Sequence, residues 1–577
     1  MTTSLDVLPT WATDMRDRFR SGSAAEFILH GNVFDVLPSG GKLLSLPAFL
    51  DEVMFATYDV VLRYDRSRGV RATRGSADWA EWLENALGSD ENVMTRLREP
   101  GTALELIDRY LLRTLNLQAL GEKTKTKAPQ RIAVIIEFAE FVVPRGDALQ
   151  LGGPFAANVV KVLGWANDPA IRQSNIVTVL VTEGLHDLNQ LVAENPHAAT
   201  LFVPLPTEAE MRAHVKTLQE GEFPTLASES EVPLDTLGTR LTGLSRVGAR
   251  TTIALALRNG RKITSAWLSG IKKDLIEREC QGLLEFVESP FTLDHVAGLD
   301  AVKAWLREDT ELLRRGALAA LPMGYLIAGR IGTGKTFLVQ CWAGELGIPC
   351  VVFKNFRDRW VGATESNLEK IFGVLRALGQ VVVFVDEADQ AAGRRESGDG
   401  DSGLSGRVYS MLAKEMSDTR NRGRILWVFA TSRPDLLEVD LKRQGRLDVH
   451  IPLFPPETAA ERRALLLAIA RKLKYPLAES DLPPLDDVAA LGGHELEGVL
   501  VRALRAHELA TEPKRALKDV LADVLRDVRP SPHTRKLEYM DLVAVKECTD
   551  ARFLPARFRD LSPEDLETRI DELRRFV

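Results

Sequence analysis

Apolar residues in this chain fall into short runs separated by longer stretches with helical spacing. Between Glu26 and Pro206 the runs are EFILHG, YDVVLRY, RIAVIIEF, NIVTVLVT and TLFVPLP. Near-continuous apolar runs of that length predict strands buried on both faces of a largely parallel sheet flanked by helices. A second set follows from Gly324 to Phe454: GYLIAG, PCVVFK, VVVFVDEAD, RILWVFATS and VHIPLF. One acidic strand end, Asp386-Glu387-Ala388-Asp389, matches an earlier one, Glu137-Phe138-Ala139-Glu140. The distance from Asp386 to Thr431 is 45 residues, as is that from Glu137 to Thr182. This spacing predicts an internal duplication whose copies have diverged widely.

Around 282–294 the stretch GLLEFVESPFTLD breaks the helical pattern before it, and past Pro455 the pattern turns helical, in ETAAERRALLLAIARKL and HELEGVLVRALRAHEL. The last helix is expected to start at Ser562 as N-cap, with Pro563 in its first turn, and to carry Leu566, Ile570 and Leu573 on one face. The segment RRESGDGDSGLSG, 394–406, reads as a mobile loop. The expected division is a first module over 1–285, an α/β subdomain over 286–455, a helical subdomain over 456–512 and a helical extension over 513–577.

Composition narrows the class without choosing a partner. The 577 residues carry 74 Lys plus Arg against 81 Asp plus Glu, a formal charge of −7, with 45% hydrophobic and 27% charged residues. These are values of an ordinary globular protein, so disorder is disfavoured. Without an apolar run long enough to span a bilayer, or a basic-then-apolar leader, the expected location is the cytoplasm, with no membrane partner. Cys280, Cys341, Cys350 and Cys548 form no C-x-x-C pair and read as buried thiols. The mildly acidic balance, without clustered basic and aromatic residues, disfavours nucleic acid.

Chemistry enters at GRIGTGKT, where Gly329, Arg330, Ile331, Gly332, Thr333, Gly334, Lys335 and Thr336 satisfy G-x-x-x-x-G-K-[ST] between a strand and a helical pattern. Glycines let backbone N–H groups wrap phosphates, Lys335 supplies a point charge to the β and γ groups, and Thr336 can ligate Mg²⁺. A chance glycine loop is the alternative. It weakens once VVVFVDEAD is added, because Asp386 would hold the metal and Glu387 would polarise an attacking water. ATP and Mg²⁺ are the expected ligands.

From about Asp294 to Arg505 the chain resembles the AAA proteins, within the AAA+ class of ring-forming P-loop ATPases. DHVAGLDAVKAWL resembles the opening segment of such modules, with Val296 and Ala297 similar to residues beside the adenine; Phe337, Ile469, Gly493 and His494 fall at further nucleotide-binding positions. RWVGATESNLEKIF is similar to the first pore loop and following helix, with Trp360-Val361-Gly362 as the pore triplet and a tryptophan like that of katanin and spastin relatives. ATSRPDLL resembles the sensor-1 strand and RQGRLD the arginine-finger segment, with Arg443 and Arg446 as candidate fingers. The resemblance implies an α/β parallel sheet with helices on both faces plus a helical lid, a head-to-tail homo-oligomer, usually a hexamer, and a protein substrate of unknown identity. A surface ion pair for the arginines and a core position for Trp360 are the bland alternatives.

Departures from the family pattern are specific. Ser432 stands where sensor-1 asparagine is usual, Ile469 replaces a lid histidine, and Gly493-His494-Glu495 replaces Gly-Ala-Asp; these bear on turnover more than on binding. Neither His494-Glu495 nor His507-Glu508 completes H-E-x-x-H, so no zinc protease is expected. In the first copy Lys42 is followed by leucine and Phe138 replaces the water-polarising residue, which predicts a degenerate module without ATP hydrolysis. The sequence reading is therefore a ring-forming ATPase that remodels, unfolds or disassembles proteins through a pore, with a slow ATP-gated assembly factor or scaffold as the alternative.

Overall fold

The computed structural model describes residues 8–87, 96–124, 130–146, 152–258, scattered positions from 262 to 280, and then 283–353, 364–389, 410–486, 491–510, 515–529 and 531–576. Trp360, Val361 and Gly362 and the expected loop 394–406 lie outside the described residues. The chain forms two compact units. One comprises residues 1–276 with 362–377, the other 277–361 with 378–577.

In the first unit the strands are β1 (Glu26–Gly31), a hairpin of β2 (Val36–Ser39) and β3 (Lys42–Ser45), then β4 (Val60–Asp65), β5 (Gly69–Arg74), β6 (Ile132–Glu137), β7 (Ile176–Val181) and β8 (Ala198–Val203). Six make one sheet in the order β5-β4-β6-β7-β1-β8, parallel except for β5. All six residues of β7 are buried, as expected for a strand with helices on both faces. Ile28, Leu62 and Ile136 pack into one core, and Phe27, Leu29 and Ile135 into the other. Residues of the helix Thr364–Leu378 belong to this unit as well: Lys370 pairs with Glu183 at 2.6 Å and His186 with Glu369 at 3.2 Å.

The second unit repeats the plan with β9 (Leu284–Val287), β10 (Gly324–Ala328), β11 (Cys350–Phe353), β12 (Val381–Val385), β13 (Ile425–Thr431) and β14 (Val449–Pro452). Their order is β14-β10-β13-β12-β11-β9, again parallel except for one edge, here β9. With β1 set on β10, β4, β6, β7 and β8 fall on β11, β12, β13 and β14. The duplication is therefore present in the topology. It extends to backbone detail, since Phe138 and Glu387, matched by the 45-residue spacing, both take the left-handed conformation at φ 55° and 47°. Two strands of these sheets went unread in the sequence. GLLEFVESPF, taken as a break, supplies β9, and GVRATR supplies β5; both are edge strands, partly exposed and lacking a long apolar run.

The helices Ala459–Lys472 and Gly493–Leu509 form the lid and share a core with Leu517–Asp527 through Leu466, Leu496, Leu500 and Leu521. The helices Thr534–Lys546 and Pro563–Arg574 form a further cluster, with Leu542, Leu566 and Ile570 buried. Ser562 caps the last helix as expected, accepting from the Asp565 N–H at 3.1 Å. Cys280, Cys341 and Cys350 are buried, but Cys548 is only half-buried; all four are free thiols. No helix among the described residues is long and apolar enough to cross a membrane.

Glu26 gives the first unit a built-in pH dependence. It lies in β1, fully buried, accepting a hydrogen bond from Thr178 Oγ1 at 3.1 Å, and burial pushes its carboxyl up to about 8. Between its ordinary value and about 8 the fold retains a proton that the unfolded chain releases, so this group's contribution to stability falls as pH rises through that window. Glu26→Gln keeps the shape and removes the dependence. The expected result is a thermal midpoint roughly 5 °C or more above wild type at pH 8 and a gap that closes near pH 5. A difference independent of pH would contradict the assignment.

Candidate functional site

Strand β10 ends at Ala328, and the chain must then turn sharply to start the helix Lys335–Leu346. Gly329 makes the turn possible: its φ is +146°, and a Cβ there would lie 2.3 Å from the Leu453 carbonyl. The loop leaves the first N–H groups of the helix at its mouth, where the helix dipole favours an anion. Lys335 Nζ bonds the carbonyls of Gly329 at 2.7 Å and Arg330 at 3.1 Å, and Ser432 Oγ at 3.0 Å. Burial pushes the Lys335 ammonium down to about 8, against the pull of Asp386, Asp389, Asp541 and Glu387. Phosphate placed beside this charge stabilises it.

Carboxylates arrive from the end of β12. Thr336 Oγ1 donates to Asp386 Oδ2 at 2.8 Å, and the Glu387 N–H donates to Asp386 Oδ1 at 2.9 Å. Glu387 is exposed and held in the left-handed conformation, so its side chain leaves the strand direction. Asp389 accepts from Thr431 Oγ1 at 2.6 Å, which ties the β12 end to the β13 end just before Ser432. Thr336 and Asp386 are a hydroxyl and a carboxylate converging from two elements. They are hard oxygen donors suited to Mg²⁺.

A cavity of about 450 Å³ opens beside the loop. It brings together Val296, Ala297, Gly332, Thr333, Gly334, Phe337, Ile469, Gly493 and His494, all expected from the sequence. Lid and loop meet closely there. The Gly493 N–H donates to the Gly332 carbonyl at 2.8 Å, and a Cβ on Gly492 would lie 3.1 Å from the same oxygen. Gly329, Arg330 and Ile331 form the turn and do not line the cavity; Ile331 is exposed. The sequence reading missed the wall supplied by Phe553, Leu554, Pro555 and Arg559 from the C-terminal extension, and Lys472 from the lid. No motif marks these residues; only the Phe553 side chain, buried in the core of the second sheet, hints at docking of the extension.

The two candidate fingers differ. Arg443 has a side chain 68% exposed and, among the described residues, pairs with Asp440 at 2.9 Å. Arg446 is 16% exposed and donates to Ser417 Oγ at 2.7 Å and the Asp440 carbonyl at 2.6 Å, besides an ion pair with the Asp440 carboxylate. Arg443 is free to reach outward at modest cost. Arg446 braces the segment.

In the first copy the carboxylates at the strand ends are satisfied from within. Asp35, in the chain leaving β1, accepts from the N–H groups of Arg246 at 2.9 Å and Val247 at 3.0 Å, the first residues of the helix Arg246–Arg258. A carboxylate thus sits on a helix N-terminus, where an anion is stabilised. Glu137, matching Asp386, pairs with Arg63 at 2.7 Å and Arg71 at 3.5 Å. Phe138, matching Glu387, stacks on Phe34 with ring centroids 5.3 Å apart. This site has no water-polarising carboxylate at the Phe138 position.

Sheet order, loop, paired carboxylates and lid define the class: a P-loop ATPase module of the AAA+ type, preceded by a degenerate copy of itself. Three family models match in chain order. They are "AAA+ chaperone, N-terminal Rossmann-like domain" over residues 2–204, "AAA+ chaperone, second helical domain" over 212–281, and "ATPase family associated with various cellular activities (AAA)" over 325–454. The chain thus carries an AAA domain over residues 325–454, preceded by two segments that match AAA+ chaperone domains. It is 32% identical over 266 residues to the ATP-dependent zinc metalloprotease FtsH 1 of Symbiobacterium thermophilum, covering 41% of this chain and 45% of that protein. It is 30% identical over 262 residues to the cell division cycle protein 48 homolog of Archaeoglobus fulgidus, covering 41% and 35%. With the peroxisomal ATPase PEX6 of Cricetulus griseus it shares 31% identity over 231 residues, covering 39% and 23%. The chain thus spans less than half the length of these curated relatives.

Proposed function

We propose that this protein is a Mg²⁺-dependent AAA ATPase that assembles into a ring, as a homo-oligomer of hexameric type, and uses ATP to remodel, unfold or disassemble protein substrates. The observation that carries the reading is the convergence of Lys335, Thr336, Asp386 and Ser432 at the end of β10 beside a cavity closed by the lid. Lys335 would neutralise the β and γ phosphates, and Thr336 and Asp386 would hold Mg²⁺, which supplies charge neutralisation on the transferring group. Glu387 would take a proton from the attacking water, and Arg443 would serve the site of a neighbouring copy. Action on protein is supported by the chaperone description of two matching models, and threading rests on Trp360, Val361 and Gly362 as the pore triplet. The division into a degenerate first module, an α/β subdomain, a lid and a C-terminal extension, and a cytoplasmic location, belong to the same proposal.

Ser432 favours a second reading, a slow ATP-gated assembly factor. Its hydroxyl is 3.0 Å from Lys335 Nζ and, being shorter than asparagine, reaches less far toward a water. Specific ATPase activity measured across protein concentration separates the two. A rise with concentration is the outcome expected of a ring motor; flat, near-zero activity with tight ATP binding would replace it with the assembly factor.

A further inference from the structure

The helix Thr534–Lys546 belongs to no recognised nucleotide motif, yet it reaches two nucleotide-site elements of its unit. Tyr539 donates its hydroxyl to Asp435 at 3.1 Å and lies under the Arg433 guanidinium, 5.1 Å from its ring centroid, so it grips the segment that follows Ser432. Asp541 faces the phosphate loop. Its Oδ2 is 3.7 Å from Arg330 Nη1, with the two side chains 7% and 12% exposed. Just past the helix, Glu547 pairs with Lys442, the residue before Arg443.

Asp541 is a buried charge that the catalytic groups described above leave unused. Its Oδ1 has no hydrogen-bond partner among the described residues, so Arg330 carries much of its compensation, with Arg557 and Lys335 as further cations acting on it and Glu538 and Glu457 opposing. A buried carboxylate without such a partner is strongly disfavoured. Arg330 is well chosen to transmit that hold. Its carbonyl accepts from both Lys335 Nζ at 3.1 Å and Thr333 Oγ1 at 3.0 Å, so the residue whose side chain Asp541 grips is the one whose backbone steadies the phosphate-binding lysine.

We propose that Asp541 is a positioning residue for the phosphate loop, holding Arg330 from behind so that Lys335 and Thr333 are set for the phosphates before nucleotide arrives. The inference rests on the nucleotide-site reading above. The C-terminal extension is then a working part of the site, preorganising it at a distance in sequence of 211 residues.

The test uses the full chain and a fluorescent ADP analogue with Mg²⁺, titrated at equilibrium. Asp541→Asn and Arg330→Gln are each expected to weaken binding by roughly fivefold or more, and the double variant to be no weaker than the weaker single one, because both remove the same contact. Arg330→Lys, which keeps the charge pair, is expected to return affinity to within about twofold of wild type, a rescue that a packing role would not produce. Lys335→Ala is the control for the site itself. Unchanged affinity in Lys335→Ala overturns the nucleotide reading; loss there with unchanged or tighter binding in Asp541→Asn overturns this proposal alone, as do additive effects. If Asp541→Asn does not fold, the contrast between Arg330→Gln and Arg330→Lys decides by itself.

Discussion

Glu387→Gln is expected to lower ATP turnover by roughly 10²–10⁴-fold while leaving ATP binding near wild type. Binding depends on Lys335, Thr336 and the loop, none of which touches the Glu387 side chain through a described hydrogen bond. Its backbone N–H, which donates to Asp386, survives the change, so the metal-binding pair keeps its geometry. Glutamine preserves size and left-handed backbone strain but cannot take a proton. The measurement is single-turnover hydrolysis of ATP alongside equilibrium binding. Wild-type turnover in this variant removes Glu387 from the mechanism, and loss of binding together with turnover would instead give it a structural part.

Arg443→Ala is expected to depress turnover by about 10³-fold at concentrations where the protein assembles, with little effect on thermal stability. The exposure of its side chain and its ion pair with Asp440 at the surface fit a residue held ready for another molecule. Arg446→Ala should behave differently, because three internal contacts to Ser417 and Asp440 would go at once. Its signature is a lowered thermal midpoint accompanying any loss of activity. The comparison is made by mixing each variant with Lys335→Ala protein: an arginine supplied across an interface lets a defective copy serve an intact site in its neighbour, and mixtures in which Arg443→Ala behaves like Lys335→Ala in every ratio would return Arg443 to its own subunit.

Much of this was legible because burial on both faces leaves a strong trace. VVVFV and ILWVFAT are wholly buried, and their apolar runs stand out from any helical spacing. The phosphate loop was legible because its chemistry is local: glycines, Lys335 and Thr336 are neighbours in sequence. The antiparallel edge strands LEFV and GVRATR were not, since they mix polar with apolar positions, unlike the other two edges, β8 and β14, whose apolar runs were read. The contributions of Asp541, Phe553 and Arg559 were also hidden. They reach the site across some two hundred residues, and a contact at that separation leaves no periodicity or spacing to read. Exposure distinguished Arg443 from Arg446 where the motif alone made them equals.

Asp35 has a consequence of a different kind. A diffusible phosphate comes and goes, and each arrival tells a protein something about its surroundings; a carboxylate built into the chain never leaves. By seating Asp35 on the N-terminus of the helix Arg246–Arg258, the first module keeps at that helix end an anion that cannot diffuse away.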